Sequence, residues 1–73
     1  MGAYCDEVRT RFCHNLANAR RQSGLTQEAL AERVGFSLQY VQRVEWGKHR
    51  VPLDTMARLA FAMDLDCVDL LKM

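Results

Sequence analysis

The chain has 73 residues and a formal net charge of +1, a length that allows one small domain. With 49% hydrophobic and 26% charged residues, its composition argues against a disordered chain, and no apolar run is long enough to span a bilayer. The three cysteines and two histidines lack metal-ligand spacing and no phosphate loop or nucleophile motif is present, so we expect reduced thiols, no metal, no cofactor and no enzymatic activity.

Apolar spacing and end signals predict the first two helices. A stripe that recurs every three or four residues predicts a helix over residues 6–23, and it consists of Val8, Phe12, Leu16 and Ala19. Gly24 is suited to end that helix. Thr26 can cap a second helix over residues 27–34, whose inner face would be Leu30, Ala31 and Val34.

Three further short helices follow. Ser37 can cap a helix from about residue 38 to residue 46, and the side chains of Val41 and Val44 would face the core. Pro52 fits the first turn of a fourth helix, whose apolar stripe is Met56, Leu59, Ala60 and Met63. Asp66 can cap a last helix that contains Val68, Leu70 and Leu71. No strand-like alternation is present, so the sequence predicts an all-α bundle of five helices in one domain over residues 1–73.

The connection between the second and third helices is the most informative feature. About three residues join them, and Gly35 among them supplies the freedom that a helix-turn-helix connection needs. With Val41 and Val44 inward, the opposite side of the third helix would present Leu38, Gln39, Gln42 and Arg43. Glutamine can bond to adenine, arginine to guanine or phosphate, and leucine can touch a thymine methyl group. A plain solvated helix surface is the alternative interpretation.

The small net charge hides an uneven distribution. Residues 9–50 carry eight Lys or Arg and three Glu, a net charge of +5. Residues 51–73 carry a net charge of −2, and Asp6 and Glu7 supply the remaining −2. Positive charge is therefore concentrated around the predicted helix-turn-helix, where a DNA contact would need it.

Two stretches resemble the phage repressor and Cro type of helix-turn-helix protein, the XRE-like family with the lambda-repressor-like fold. They are LTQEALAERVGFSLQYVQRVEWGK, residues 25–48, and PLDTMARLAFAMDLDCVDLL, residues 52–71. The residues that match the pattern of the family are Gln27, Ala31, Gly35, Val41, Val44, Glu45 and Gly47. The resemblance implies a sequence-specific DNA-binding regulator of transcription, located in the cytoplasm of a prokaryote or encoded by a phage.

The resemblance also implies roles for individual residues. The base-reading residues of the third, recognition helix would be Leu38, Gln39, Gln42 and Arg43. Contacts to the DNA backbone would come from Gln27, Ser37, Tyr40, Lys48, His49 and Arg50. Arg20 and Glu45 match positions that, in relatives, form an ion pair between the first helix and the recognition helix. Some relatives place a basic residue just after the loop proline, where this chain has Leu53, so a minor-groove contact there is in doubt.

An apolar surface at the C-terminal end predicts a homodimer. Phe61 lies off the inward stripe of the fourth helix, and the interface would consist of Phe61, Val68, Leu71 and Met73. The alternative is that Phe61 covers the last helix within a monomer. A dimer would present two recognition helices about one turn of DNA apart, ~34 Å, to an inverted repeat in double-stranded DNA.

Two further interpretations stay open. In one, the chain is the DNA-binding part of a partnered system, such as an antitoxin or a restriction–modification controller. In the other, it is a helical protein-interaction module that acts through a protein partner without touching DNA. The polar outward face of the third helix favours DNA, whereas burial of Leu38 and Tyr40 against a partner would favour the module.

Overall fold

The computed structural model describes residues 1–72, so Met73 of the predicted dimer surface lies outside the described residues. Five helices follow one another: α1 (Gly2–Gln22), α2 (Gln27–Val34), α3 (Leu38–Trp46), α4 (Leu53–Phe61) and α5 (Cys67–Lys72). No strand is present within residues 1–72, and the predicted all-α, five-helix fold is confirmed.

All five helices contribute to one core. The fully buried large side chains are Phe12 and Leu16 of α1, Leu30 of α2, Val41 of α3, Leu59 of α4 and Leu70 of α5. α1 packs against α3 and α5, and α2 packs against α3 and α4. Since no helix buries its apolar stripe alone, the bundle holds α3 in a fixed orientation. None of the described helices is long and apolar enough to cross a membrane.

α1 begins four residues before the predicted start at Asp6. The backbone N–H of Cys5 donates to the carbonyl of Met1 at 3.0 Å, which closes a turn ahead of Asp6. Asp6 therefore lies inside the helix, where its carboxylate pairs with the Arg9 guanidinium at 2.7 Å. Such pairs, one turn apart, stabilise a helix that neither proline nor an internal glycine interrupts.

The predicted capping residues of α2 and α3 both act as caps. The Thr26 hydroxyl accepts the N–H of Ala29 at 3.0 Å, and the Ser37 hydroxyl accepts the N–H of Tyr40 at 3.1 Å. Pro52 differs by one position, because it lies directly before α4 and not within its first turn. These local bonds satisfy helix-end N–H groups that would otherwise lack partners.

The three cysteines are free thiols. Burial in the core raises the pKa of the Cys13 thiol. Burial also raises the pKa of the Cys67 thiol, with a smaller contribution from the neighbouring Asp66 carboxylate. Both thiols are therefore protonated near neutral pH, unlike the thiolate that a reactive cysteine requires.

Candidate nucleic-acid interface

Three residues connect α2 to α3. Gly35 ends α2 with a φ of 77°, in the left-handed region that glycine adopts without strain. The N–H groups of Gly35 and Phe36 both donate to the carbonyl of Ala31, at 2.9 Å for Phe36. Ser37 then caps α3. Backbone hydrogen bonds and the Ser37 hydroxyl together fix the turn between the two helices.

A nearly buried ion pair joins α1 to α3. The Arg20 guanidinium donates to both carboxylate oxygens of Glu45, with Nε–Oε2 at 2.6 Å and Nη2–Oε1 at 3.1 Å. The two side chains are 10% and 5% exposed. Arg20 Nη1 also donates to the carbonyl of Leu25 at 2.9 Å, and the Gln27 amide donates to Glu45 Oε1 at 3.0 Å. One cluster of side chains therefore links α1, its connection to α2, α2 and α3.

The outward face of α3 is polar. Val41 and Val44 are buried, and the opposite side exposes Gln39, Gln42 and Arg43, with Leu38 half-buried beside them. A shallow depression on this face is lined by Gln39, Gln42, Arg43, Trp46 and His49. Its lining carries amides, an imidazole and a guanidinium but no carboxylate, so it offers several donors to an anionic or polar partner.

Trp46 is a residue of this face that the sequence analysis did not assign to it. Its side chain is 65% exposed, and its ring centroid lies 5.8 Å from that of His49 at an angle of 57°. Trp46 follows Gln42 by four positions and Arg43 by three, so helical spacing alone was a sufficient signal. The predicted face therefore extends to the C-terminal end of α3.

Tyr40 does not lie on the outward face of α3 but on the side that faces the turn and α4. Its half-buried ring packs edge-on against Phe36, with centroids 5.1 Å apart, and its hydroxyl lies 3.4 Å from the Thr55 hydroxyl. Tyr40 thus fills the space between the turn, α3 and α4. Its ring and its hydroxyl therefore both have partners inside the chain, and its role at the DNA backbone stays a prediction.

The loop after α3 carries the predicted basic residues on the surface. Lys48, His49 and Arg50 are all exposed. The loop begins at Gly47, whose carbonyl accepts a hydrogen bond from Arg9 Nε at 3.3 Å. α1 therefore holds both the C-terminal end of α3 and the start of the basic loop.

Comparisons with known proteins agree with this geometry. A family model described as a helix-turn-helix domain matches residues 11–71. The HTH-type transcriptional regulator y4dJ of Sinorhizobium fredii is 40% identical over 64 residues, which cover 88% of this chain and 83% of that protein. The chain belongs to the helix-turn-helix transcriptional regulators. Members of this family bind DNA and are not enzymes, so the predicted helix-turn-helix regulator family and the expectation of a non-enzymatic protein are confirmed.

Two solved structures share the fold of this helix-turn-helix regulator. The clp gene regulator ClgR of Corynebacterium glutamicum superposes with a TM-score of 0.84 at 26% identity, over 89% of this chain and 69% of that one. The restriction-modification controller protein C.AhdI of Aeromonas hydrophila superposes with a TM-score of 0.79 at 34% identity, over 88% of this chain and 96% of that one.

Proposed function

We propose that this regulator binds an inverted-repeat operator as a homodimer, with α3 of each copy in the DNA major groove. The observation that carries the proposal is the exposed face of Gln39, Gln42 and Arg43 on a helix that is fixed from behind by the Arg20–Glu45 pair. A reading helix has to be held rigidly because base recognition depends on the position of each donor and acceptor. DNA as the target, together with the bacterial sources of its relatives, favours the cytoplasm of a prokaryote as its location.

Four residues of the outward face have base-reading roles that their chemistry supports. Gln39 and Gln42 each offer a donor and an acceptor to adenine, and Arg43 offers paired donors to guanine or to a phosphate. The exposed part of Leu38 is suited to the methyl group of thymine. Together they would supply direct readout in each half-site.

The DNA backbone would be held on either side of this face. Gln27 donates one amide hydrogen to Glu45 and retains a second for a phosphate oxygen. Ser37 and the packed Tyr40 contribute by fixing the N-terminus of α3, whose backbone N–H groups favour an anion. Lys48, His49 and Arg50 extend the contact beyond the other end of the helix. These contacts position the protein without selecting a sequence.

The apolar residues near the C-terminal end support the homodimer. Phe61 is 81% exposed, which is unusual for a phenylalanine, and Val68 and Leu71 are exposed as well. A second copy that covered them would remove apolar surface from water and would enlarge a small hydrophobic core. The match to C.AhdI over 96% of its chain supports restriction–modification control as one setting for this regulator.

Selection of bound duplexes from a random DNA pool at moderate salt tests the proposal. Enrichment of one inverted repeat, with half-site centres about 10 base pairs apart, is the expected result. Retention that disappears with added salt and enriches no sequence would contradict it. That result would instead favour the helical protein-interaction module, for which incidental contact with DNA is enough.

Replacing Lys48 with alanine should weaken binding to every duplex by a similar factor. The lost phosphate contact releases one counterion fewer, so the slope of log K against log salt should fall in magnitude by about one. Affinity titrations at four or more salt concentrations, on the selected operator and on a scrambled duplex, measure this slope. An unchanged slope would remove Lys48 from the backbone contacts.

Replacing Gln42 with alanine should weaken binding to the operator alone, unlike the replacement of Lys48, which should weaken binding to every duplex. We expect a loss of about 1–3 kcal/mol on the selected operator and almost none on scrambled DNA, because a base contact exists only at the right sequence. Exposed Gln22 at the end of α1 offers a matched control for the same Gln→Ala change. Equal losses on both duplexes would show that Gln42 does not read a base.

A further inference from the structure

Phe61 stands between two surface depressions of opposite charge. One is lined by Arg33, Val34, Arg58, Phe61 and Ala62, and the other by Ala57, Phe61, Asp64, Leu65, Asp66 and Cys67. The only charged side chains in the first lining are arginines, and in the second they are aspartates. The exposed aromatic ring therefore marks a boundary between a basic and an acidic side.

Two of these four charged side chains have no hydrogen-bond or ion-pair partner among the described residues. The Arg33 guanidinium donates to the carbonyl of Ala62 at 3.1 Å, and the Asp66 carboxylate accepts the N–H of Val68 at 3.0 Å. Within residues 1–72, neither Arg58 nor Asp64 takes part in an ion pair or a side-chain hydrogen bond. Arg58 and Asp64 are both exposed, one on each side of Phe61.

This order of charges is self-complementary under two-fold symmetry. When two copies of one surface meet about a two-fold axis in the interface plane, the left side of one copy faces the right side of the other. If the axis runs past Phe61 and separates the basic side from the acidic side, the basic side of each copy meets the acidic side of the other. Like charges are thereby kept apart, and two equivalent ion pairs flank the apolar centre.

We propose that Arg58 of one copy pairs with Asp64 of a second copy, and that Phe61 of each copy seats in the depression beside Ala57 and Cys67 of the other. The proposal rests on the homodimer proposed above and adds its register. The small side chain of Ala57 leaves room for the ring, and Leu65 adds apolar surface. A second copy fits this surface better than an acidic or a basic partner, because either of those would face repulsion on one side of Phe61.

Charge reversal tests the register in solution. Arg58→Asp and Asp64→Arg should each weaken self-association about tenfold or more, because both symmetric pairs become repulsive. An equimolar mixture of the two variants should form a heterodimer close to wild type in affinity, because both mixed pairs attract. Sedimentation measures the affinities, and native mass spectrometry separates the heterodimer from the two homodimers. Arg21→Asp, an exposed reversal at the end of α1, should leave self-association unchanged.

If Asp64→Arg does not fold, Asp64→Asn in the wild-type and in the Arg58→Asp background tests the register instead. Asp64 has a φ of 58°, in a region that asparagine tolerates better than arginine, so Asp64→Asn is the safer change. It should weaken the wild-type dimer a few-fold, yet strengthen the dimer of the Arg58→Asp variant, where it removes a repulsion. Asp64→Asn with the same small effect in both backgrounds would overturn the register.

The outcomes also separate this proposal from the one on which it rests. If the wild type is a dimer and none of these charge reversals changes the dimer affinity, the register is overturned and the homodimer remains. A wild-type chain that stays monomeric up to millimolar concentration, with and without operator DNA, overturns both. Sequence-specific DNA binding is scored independently, by the selection from a random pool.

Discussion

Replacing Arg20 with alanine is expected to lower the free energy of unfolding by about 3–5 kcal/mol, because the change leaves the Glu45 carboxylate buried without its cation. The Glu45 side chain is 5% exposed, and within residues 1–72 the remaining side-chain donor to it is the amide of Gln27. A domain of this size has a total stability of roughly 4–11 kcal/mol. Thermal and urea unfolding followed by circular dichroism should therefore find a protein close to the limit of folding.

Two controls separate the buried pair from charge loss in general. Glu7→Ala removes one partner of the exposed pair between Glu7 and Arg11, whose charged atoms are 3.6 Å apart, and should cost less than about 1 kcal/mol. Replacing Arg20 and Glu45 together by Met and Leu should restore most of the loss, since no unpaired charge remains. If Arg20→Ala costs no more than Glu7→Ala, the pair does not hold α3 as inferred.

Replacing Phe61 with glutamate is expected to abolish the proposed homodimer. In the proposed register, a carboxylate at this position would lose hydration in a depression that already holds the Asp64 and Asp66 carboxylates of the other copy, so it would meet like charge. Binding to the full operator should then fall by about 10²–10⁴, because the two half-sites are no longer bound by linked copies. Binding to an isolated half-site should stay unchanged, because Phe61 is not among the residues of the α3 face.

Light scattering with size-exclusion chromatography measures the mass of this variant, and titration of full and half operators measures its binding. Tyr4→Glu is the matched control for mass, because Tyr4 is also an exposed aromatic side chain but lies at the start of α1. A Phe61→Glu protein that still has the mass of a dimer would rule out this surface as the interface.

The helices were predictable because their signals are local. Thr26 and Ser37 precede helices that they cap, and Gly35 supplies the left-handed residue between them. The predicted start of α1 was wrong by four residues, because no pattern in the sequence shows that the residues before Asp6 continue the same helix. Helix existence follows from periodicity, whereas helix ends depend on single hydrogen bonds.

The outward face of α3 was also predictable, because two buried valines fix the rotation of a short helix. The contacts on either side of this face involve residues that are distant in sequence, so they were harder to predict. Tyr40 packs toward Thr55 on α4, and Gln27 bonds to Glu45 across 18 positions, so neither contact follows from spacing within one helix. Trp46 lies one helical turn after Gln42, so its place on this face was predictable from spacing. It was assigned only as the last residue of the helix.

The central claim is that the outward face of α3 reads the DNA sequence, and a selection run in parallel on wild type and on Gln39→Ala tests it most directly. We predict that the wild type enriches an inverted repeat and that the variant enriches the same repeat without preference at one position. That position should be equivalent in the two half-sites, because each copy carries one Gln39. Identical enriched motifs for both proteins, or none for the wild type, would contradict the claim.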